Sequence, residues 1–384
     1  MDKILLDKNE NKYGPSPKCL DVLCNLPSDS FTDYTRNDNR ALLEKLAERF
    51  HIPMEHIFLG YGSEDLINQV FDIFLKPKKS VLLCSHGWYY YSKLCKKRKL
   101  MKHQYYLYRD GNRFTYDYSK MRTQFKRTHP KLTIVGSPSN PTGTIFDTSE
   151  FETLLQKARK NQILLYDMAY HGFSKQDDPP VAEWITKYDN LIMLGSFSKY
   201  YAMAGSRIGF AFVSRKLINS FTRSKRFLGF SRLLEQLAIA ALDSEDYFHE
   251  AAVNIANDRN KIIKKLNSIP GFTAFDSGAN FILTEYPVGV KEAFQQELTK
   301  RNIVIKFISD EPVFENMVRI TVGTQKHTQL FLEALDSLAE HPACSQKSNE
   351  LYPPVESMIH RKHAFLFGAG ALLLHRKSVK QNSR

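Results

Sequence analysis

Three side chains that can do covalent or acid–base chemistry stand at the ends of apolar stretches of this sequence. Lys199 closes Ser196-Phe-Ser-Lys199, Asp167 ends Ile163-Leu-Leu-Tyr-Asp167, and Asn140 lies in Ser137-Pro-Ser-Asn-Pro-Thr-Gly143. A lysine at a buried strand end can have a lowered pKa and form an imine. A buried carboxylate must pair with a cation or accept several hydrogen bonds. Simpler interpretations stay open, because most lysines are surface charges, and Asp and Asn often cap helices or turns.

A glycine-containing turn supplies a candidate anion site. The stretch Gly60-Tyr-Gly62-Ser63-Glu64-Asp65 leads into an apolar helical segment. Free N–H groups and the dipole at a helix N-terminus both favour phosphate. The same pattern is also common in ordinary strand-to-helix connections, so it predicts the site only in combination with other residues.

These residues need a sheet to bring them together, and the sequence contains one. Short, continuous apolar runs are typical of strands that are buried on both faces. Such runs occupy residues 57–60, 80–84, 132–136, 163–167, 191–195 and 208–213, with helical segments such as 149–161 between them. Repeated strand–helix units predict a mainly parallel α/β sheet, in which ligands bind at the carboxyl ends of the strands.

The pattern changes after two helical stretches at residues 232–242 and 246–269. Strand-like runs then occur at 272–275, 280–284, 303–307 and 318–322, with helical segments at 291–301 and 328–339. We therefore expect a large domain over residues 31–245, a smaller α+β domain over 246–340 with an N-terminal arm of residues 1–30, and a tail over 341–384.

Composition excludes several classes of protein. With 42% hydrophobic and 25% charged residues among 384, wholesale disorder is excluded. No apolar run approaches the roughly 20 residues of a membrane-spanning helix, and no secretory signal is evident. Five irregularly spaced cysteines fit a reducing compartment, so we expect a cytoplasmic protein.

The net charge of +13 raises the question of polyanionic partners. Seven Lys or Arg and two Glu residues lie in the tail, which also holds an 11-residue apolar run at 364–374. Contact of this tail with a membrane surface is possible, but a loosely docked extension is favoured. The basic run at residues 93–102, placed on the helix after an aromatic segment, is interpreted as a solvated helix face, and no nucleic-acid partner is expected.

An imine-forming lysine, a carboxylate for a ring nitrogen, phosphate donors and an aromatic lid are what pyridoxal phosphate requires. The chain resembles the fold-type-I pyridoxal-phosphate-dependent aminotransferases of class I/II, and within them the histidinol-phosphate aminotransferase family. The resemblance covers residues 3–340. It rests on Asn9-Glu-Asn-Lys-Tyr-Gly-Pro-Ser-Pro17, Gly60-Tyr-Gly-Ser63, Ser137-Pro-Ser-Asn-Pro-Thr-Gly143, Tyr166-Asp-Met-Ala-Tyr170, Ser196-Phe-Ser-Lys199, Ala204-Gly-Ser-Arg207 and Val318-Arg-Ile-Thr-Val-Gly323.

The resemblance implies the three-layer α/β fold of these transferases, with a mainly parallel sheet in the large domain and a smaller α+β domain. It implies a homodimer with shared active sites, small-molecule amino donor and keto acceptor as partners, pyridoxal 5'-phosphate as cofactor and no metal. Lys199 would be the catalytic residue that binds the cofactor. The other implied cofactor-binding residues are Gly62, Ser63, Glu64, Trp88, Asn140, Asp167, Tyr170, Ser196, Ser198, Arg207 and, from the neighbouring subunit, Tyr34. Arg319, Tyr13 and Lys306 would bind substrate.

The substrate-binding residues depart from the family pattern. The chain has Lys306-Phe307 where the family commonly has Arg-Asp, Asn11-Lys12 where it has Asn-Pro, and no asparagine within residues 226–232. The resemblance predicts transfer of an amino group between a donor such as glutamate and a keto acceptor. The alternatives are an aminotransferase for another biosynthetic amino acid or amino alcohol, and a decarboxylase of an amino-acid phosphate on the same fold.

Overall fold

The apolar runs of the sequence become strands of two sheets in the computed structural model, which describes residues 3–35, 39–174, 178–224, 229–308 and 314–341. The strands are β1 Ile4–Leu6, β2 Ile57–Gly60, β3 Ser80–Cys84, β4 Met101–Tyr105, β5 Leu107–Asp110, β6 Arg113–Tyr116, β7 Leu132–Gly136, β8 Ile163–Asp167, β9 Leu191–Ser196, β10 Gly209–Val213, β11 Thr273–Ala274, β12 Phe281–Glu285, β13 Ile303–Ile308 and β14 Met317–Thr321. The helices are α1 Pro17–Cys24, α2 Asp29–Thr32, α3 Arg40–Phe50, α4 Ser63–Phe74, α5 Tyr89–Lys97, α6 Tyr118–Thr128, α7 Thr148–Lys157, α8 Val181–Lys187, α9 Ile218–Arg223, α10 Arg232–Leu242, α11 Glu245–Asn267, α12 Lys291–Lys300 and α13 Gln325–Ala339.

The larger sheet has seven strands in the order β2-β10-β9-β8-β7-β3-β4. Strands β9, β8, β7, β3 and β4 are parallel, and β10 is antiparallel to both of its neighbours. Successive residues of β8 pack on opposite faces, since Leu164 belongs to one buried cluster and Leu165 to another. Burial on both faces explains the continuous apolar runs and confirms the predicted α/β fold with a mostly parallel sheet.

The smaller sheet has five strands in the order β1-β13-β14-β12-β11. Its first strand comes from the N-terminus, because β1 pairs in parallel with β13. Arg319 of β14 lies opposite Lys306 of β13 in the antiparallel register. The described residues, from 3 to 341, belong to one compact unit, so the boundary near residue 245 stays a prediction.

Sequence patterns missed the edge of the larger sheet. Strand β4 carries Met101, Lys102, His103 and Gln104, which are exposed or half-buried. An edge strand needs no apolar run, so its sequence gave no strand signal. The placement of the basic run was therefore partly wrong, because α5 ends at Lys97 and the run continues into β4.

Three helix starts also differ from the prediction, and one of them is α11, which begins at Glu245 instead of residue 246. Helix α7 begins at Thr148, and its cap is Asp147, whose carboxylate accepts the N–H of Ser149. Helix α13 begins at Gln325, three residues earlier than expected, because Thr324 and His327 form a reciprocal capping pair. In the part of the chain that the structure describes, none of the helices combines the length and apolarity that a bilayer crossing requires.

Candidate active site

The carboxyl edge of the larger sheet gathers the predicted site. Asp167 ends β8 opposite Gly136 of β7, and Ser196 ends β9. Gly209, the first residue of β10, pairs with both Ser196 and Gly60. The parallel sheet therefore brings five separate sequence motifs to one edge, as the sequence predicts.

A glycine cradle forms beside Arg207 at the start of α4. Gly62 precedes the helix with φ +82°, and a Cβ at this position would lie 2.9 Å from Nη2 of Arg207. A Cβ on Gly209 would lie 2.5 Å from the carbonyl carbon of Gly62, so glycine is required at both positions. The N–H of Gly62 donates to Gly60 O (2.9 Å), which leaves the helix N–H groups that begin at Ser63 as anion donors.

Three more predicted residues border this cradle. Arg207 lies 3.4 Å from the carboxylate of Glu64, in the first turn of α4. Ser196 and Ser198 are buried, and the N–H of Ser198 donates to Ser196 Oγ at 3.1 Å. A guanidinium, hydroxyl groups and helix N–H groups together form the donor set that a phosphate monoester needs.

Lys199 lies beside these residues and is held by the N-terminal segment. Its Nζ donates to the carbonyl oxygen of Lys8 at 2.8 Å and lies 5.7 Å from the centroid of the Tyr170 ring. Burial, followed by the positive charge of Arg319, lowers the pKa of Lys199 to about 8. Close to neutral pH, a substantial fraction of this amine is therefore uncharged and nucleophilic.

Asp167 is buried at the end of β8 with two hydrogen-bond donors. The N–H of Ala169 donates to Oδ1 at 2.9 Å, and the hydroxyl of Tyr91 donates to Oδ2. Burial raises the pKa of Asp167, and the hydrogen bond from Tyr91 opposes this rise. A buried carboxylate in this setting is suited to a cationic ring nitrogen.

Tyr91 is a site residue that sequence reasoning missed. It is buried on α5, three residues after Trp88, and the two rings meet edge to face at 5.5 Å. The spacing placed both rings on one side of a helix. The aromatic segment was noted, but the partner of Tyr91 lies 76 residues away in the sequence.

A network of side chains joins Asn140, Tyr170 and Arg319. Arg319 Nη1 donates to Asn140 Oδ1 at 2.7 Å, and Asn140 Nδ2 donates to the Tyr170 hydroxyl at 3.3 Å. A second amide, Asn9 Nδ2, donates to the same hydroxyl at 2.9 Å. Asn9 belongs to a quoted motif, but sequence reasoning did not select it as a site residue.

The remaining predicted site residues differ in their burial and in their contacts. Trp88 is half-buried at the start of α5 and stacks on Tyr90 at 5.0 Å. Tyr34 is 69% exposed. Tyr13 packs against the core of the smaller sheet, where burial and then the charge of Asp258 raise its pKa.

The structure describes the residues at two of the three departures from the family pattern. Lys306 is exposed and faces the same side of the smaller sheet as Arg319. Lys12 pairs with Glu10 at 2.6 Å. The third departure falls partly on residues 226–228, which lie outside the described residues, as does the tail from residue 342.

The residues fit pyridoxal phosphate. The cradle at Gly62 has space that a single Cβ would fill, and Asp167 is a buried carboxylate whose described donors are neutral. Lys199, which directly follows Ser198, is an amine with a lowered pKa. Each chemical group of the cofactor therefore has a matching protein group at this edge.

Comparison with known proteins agrees with this geometry. The model of the family "Aminotransferase class I and II" matches residues 1–335. A histidinol-phosphate aminotransferase of Ruminiclostridium cellulolyticum is 28% identical over 335 residues, covering 87% of this chain and 92% of that protein. The chloroplastic histidinol-phosphate aminotransferase of Nicotiana tabacum is 27% identical over 337 residues, covering 87% of this chain and 78% of that protein.

Solved structures share the fold. Histidinol-phosphate aminotransferase from Sinorhizobium meliloti, in complex with pyridoxal-5'-phosphate, matches with a TM-score of 0.79 and 23% identity over 88% of this chain and 91% of that one. L-threonine-O-3-phosphate decarboxylase from Porphyromonas gingivalis matches with a TM-score of 0.74 and 20% identity over 88% of this chain and 100% of that one. With the family model spanning most of the sequence, the chain belongs to the class I and II aminotransferases and is a pyridoxal-phosphate-dependent enzyme.

Proposed function

We infer that this aminotransferase moves an amino group between glutamate, or a similar donor, and a small keto compound that carries an anionic group, with histidinol phosphate and its keto partner as the first pair to test. The observation that carries this proposal is the Lys199 amine, which donates to the carbonyl oxygen of Lys8 at 2.8 Å and faces the Tyr170 ring. Burial, followed by the charge of Arg319, lowers its pKa to about 8. The names of the relatives support the substrate pair.

Each residue has a definite task in this proposal. When bound, pyridoxal phosphate supplies a carbonyl that condenses with amines and a ring that accepts electrons. Lys199 Nζ would take the proton from the α-carbon of the substrate and return it to the former carbonyl carbon of the cofactor, across the amino nitrogen, which a neutral amine can do close to physiological pH. Asp167 holds a proton on the ring nitrogen.

The surrounding residues bind and orient. The helix N–H groups from Ser63 and Glu64 onward, the hydroxyls of Ser196 and Ser198, and Arg207 hold the phosphate. Gly62 leaves the space for it. Trp88 covers one face of the ring and excludes water, and Asn140 and Tyr170 contact the ring's 3-oxygen.

Arg319 and Lys306 give the site its preference for an anionic substrate. They are cross-strand partners on one face of the smaller sheet, so their Cβ atoms are about 5 Å apart. Arg319 presents a planar fork for a carboxylate or phosphate, and Lys306 adds a compact charge without bidentate geometry. Tyr13 contributes to the substrate pocket in this proposal only if its side chain leaves its position near Asp258.

A homodimer completes the proposed enzyme, and the cytoplasm is its proposed compartment. Tyr34 is 69% exposed, and Leu20, Leu23 and Phe31 on α1 and α2, which precede it in the chain, are exposed as well. Exposed apolar and aromatic side chains in one short stretch of sequence fit a protein interface. Tyr34 would reach the phosphate of the neighbouring subunit.

A half-reaction tests the proposal directly. The chain loaded with pyridoxal phosphate is mixed with L-glutamate, and conversion of the cofactor to its amine form and release of 2-oxoglutarate are measured. L-histidinol phosphate is compared with L-histidinol, which lacks the anion, and we expect a much lower KM for the phosphate. Release of carbon dioxide from an amino-acid phosphate without any acceptor would instead favour the decarboxylase alternative and overturn the proposal.

A further inference from the structure

The segment that follows β1 touches several parts of the candidate site. The carbonyl of Asp7 accepts Arg319 Nη2 at 2.7 Å, the carbonyl of Lys8 accepts Lys199 Nζ at 2.8 Å, and Asn9 donates to Tyr170 at 2.9 Å. Asn11 Nδ2 donates to the carbonyl of Tyr200 at 3.1 Å. Among these contacts, the one from Asn9 joins a side chain without an assigned task to Tyr170, a predicted cofactor-binding residue.

The position of Asn9 is strongly determined. It is 1% exposed and has a left-handed backbone with φ 56°. Its N–H donates to Thr321 Oγ1 at 2.9 Å, and its carbonyl oxygen accepts Asn280 Nδ2 at 3.1 Å. Main-chain bonds to two buried partners fix the residue before its side chain makes any contact.

The side-chain amides of Asn9 and Asn140 both have a defined orientation. The Oδ1 atom of Asn140 accepts the Arg319 guanidinium, which can only donate, so its Nδ2 faces Tyr170. The Oδ1 atom of Asn9 accepts the hydroxyl of Thr321 at 3.4 Å, so its Nδ2 also faces Tyr170. Both amides therefore donate to one phenolic oxygen.

A phenolic oxygen has two acceptor sites and one proton. When two amides fill the acceptor sites, donation is the remaining hydrogen-bonding capacity of the hydroxyl. We propose that Asn9 is a positioning residue, which together with Asn140 fixes the Tyr170 hydroxyl as a donor aimed at the 3-oxygen of the cofactor ring. This inference rests on the proposed function, because it takes Tyr170 as the partner of that oxygen.

Charged groups on the neighbouring elements act on the same hydroxyl. Arg319 on β14 lowers the pKa of Tyr170, and Asp167 on β8 raises it, while burial gives the largest effect and raises it. Lys199 faces the ring of Tyr170, and Tyr91 lies close enough for its own pKa to be affected by Tyr170. The hydrogen bonds from Asn9 and Asn140 lower the pKa of Tyr170, against the net rise that burial causes.

The test is the pH midpoint of the visible absorbance of the bound cofactor, which needs no turnover. Asn9→Gly keeps the left-handed backbone and removes the amide. We expect the midpoint to rise by about half to one pH unit, because a ring oxygen that has lost a well-aimed donor attracts the nearest proton more strongly. Tyr170→Phe should raise it further, and adding Asn9→Gly to Tyr170→Phe should cause no additional rise, since the amide acts through the hydroxyl.

Control variants distinguish a positioning role of Asn9 from a general effect on folding. Asn11→Ala removes a neighbouring buried amide that contacts Tyr200, and its effect on the midpoint should be small and unchanged by Tyr170→Phe. If Asn9→Gly fails to fold, Thr321→Val is the second variant, because it loosens the Asn9 amide without changing Asn9 itself. We expect a smaller rise of the absorbance midpoint in Thr321→Val. Equal midpoints for Asn9→Gly and the parent, or additive effects in the Tyr170→Phe background, would overturn this inference alone. A parent chain without a pH-dependent cofactor absorbance would overturn the proposed function as well.

Discussion

The Tyr91 hydroxyl donates a hydrogen bond to Asp167 Oδ2, and both residues are buried beneath the carboxyl edge of the larger sheet. This bond opposes the effect of burial, which alone would favour the protonated acid. An anionic Asp167 is the form that pairs with a protonated ring nitrogen. Tyr91 therefore supports the charge on which the cofactor depends.

Tyr91→Phe is expected to weaken binding of pyridoxal phosphate roughly tenfold, since a hydrogen bond to a charged group is worth roughly 1.5 kcal/mol or more. The dissociation constant is measured by titrating the apo-protein and following the quenching of protein fluorescence. Tyr90→Phe is the control, because the Tyr90 hydroxyl accepts from Asn68 instead. Equal losses in the two variants would contradict a specific role for Tyr91.

Lys199→Ala is expected to abolish the half-reaction with glutamate, by at least about 10³-fold, because the variant lacks both the imine-forming amine and the proton carrier. Borohydride reduction followed by mass spectrometry of the peptides should label the parent at Lys199 and leave the variant unlabelled. Lys187→Ala, which removes a surface lysine paired with Glu152, should behave like the parent. A labelled peptide without Lys199 would refute the assignment.

Capture of pyridoxal phosphate by the apo-protein should accelerate as the pH rises through about 8. The pKa of Lys199 is lowered to about 8, so the ammonium predominates below that pH and the reactive neutral amine above it. Stopped-flow rates between roughly pH 6.5 and 9.5 measure this midpoint. Arg319→Met removes a cation that lowers the pKa of Lys199, so the midpoint should move upward. A rate independent of pH over this range would contradict the assignment.

Gly62→Ala is expected to weaken cofactor binding, because its Cβ would lie 2.9 Å from Arg207 and displace the guanidinium from the cradle. Gly289→Ala is a matched control, since its φ of +83° is nearly the same and a Cβ there meets nothing within 4 Å. Both changes should lower thermal stability through backbone strain, by about 1 kcal/mol. Only the change at residue 62 should raise the dissociation constant of the cofactor, and similar constants for both would contradict the cradle.

Subunit mixing tests whether Tyr34 acts across a dimer interface. A Tyr34→Ala chain keeps Lys199, and a Lys199→Ala chain keeps Tyr34, so a mixed dimer would contain one complete site if Tyr34 serves its neighbour. We expect activity to appear when the two inactive preparations exchange subunits. Activity that stays absent, although mixed dimers are shown by mass spectrometry, would place Tyr34 in its own subunit or outside the site.

Sequence patterns predicted the strands and helices whose burial leaves a local signature in the sequence. The runs that form β2, β3, β7 and β8 were identified within their observed bounds, because burial on both faces leaves a continuous apolar signature. Helix α10 was also predicted with its observed ends. Strand β4 and the hairpin of β5 and β6 were missed, since edge strands carry polar residues and gain their order from pairing.

The contacts within the candidate site were predicted only in part. The polar strand ends that the motifs marked do meet at one edge of the sheet. Tyr91 and Asn9 were not selected, because their partners Asp167 and Tyr170 are 76 and 161 residues away, and no local pattern records such a pairing. The role of Tyr13 in substrate binding stays a prediction.

The pairing of β1 with β13 has a consequence for how the protein is made. Strand β1 is synthesised before its pairing partner, which begins at Ile303, and before Arg319, which follows later still. Until β13 has been made, the segment after β1, which contacts Lys199 and Tyr170, therefore has no sheet to join. A ribosome-bound or prematurely released fragment exposes an unassembled lysine site, and the finished site arises only in chains that have been translated past the fourteenth strand.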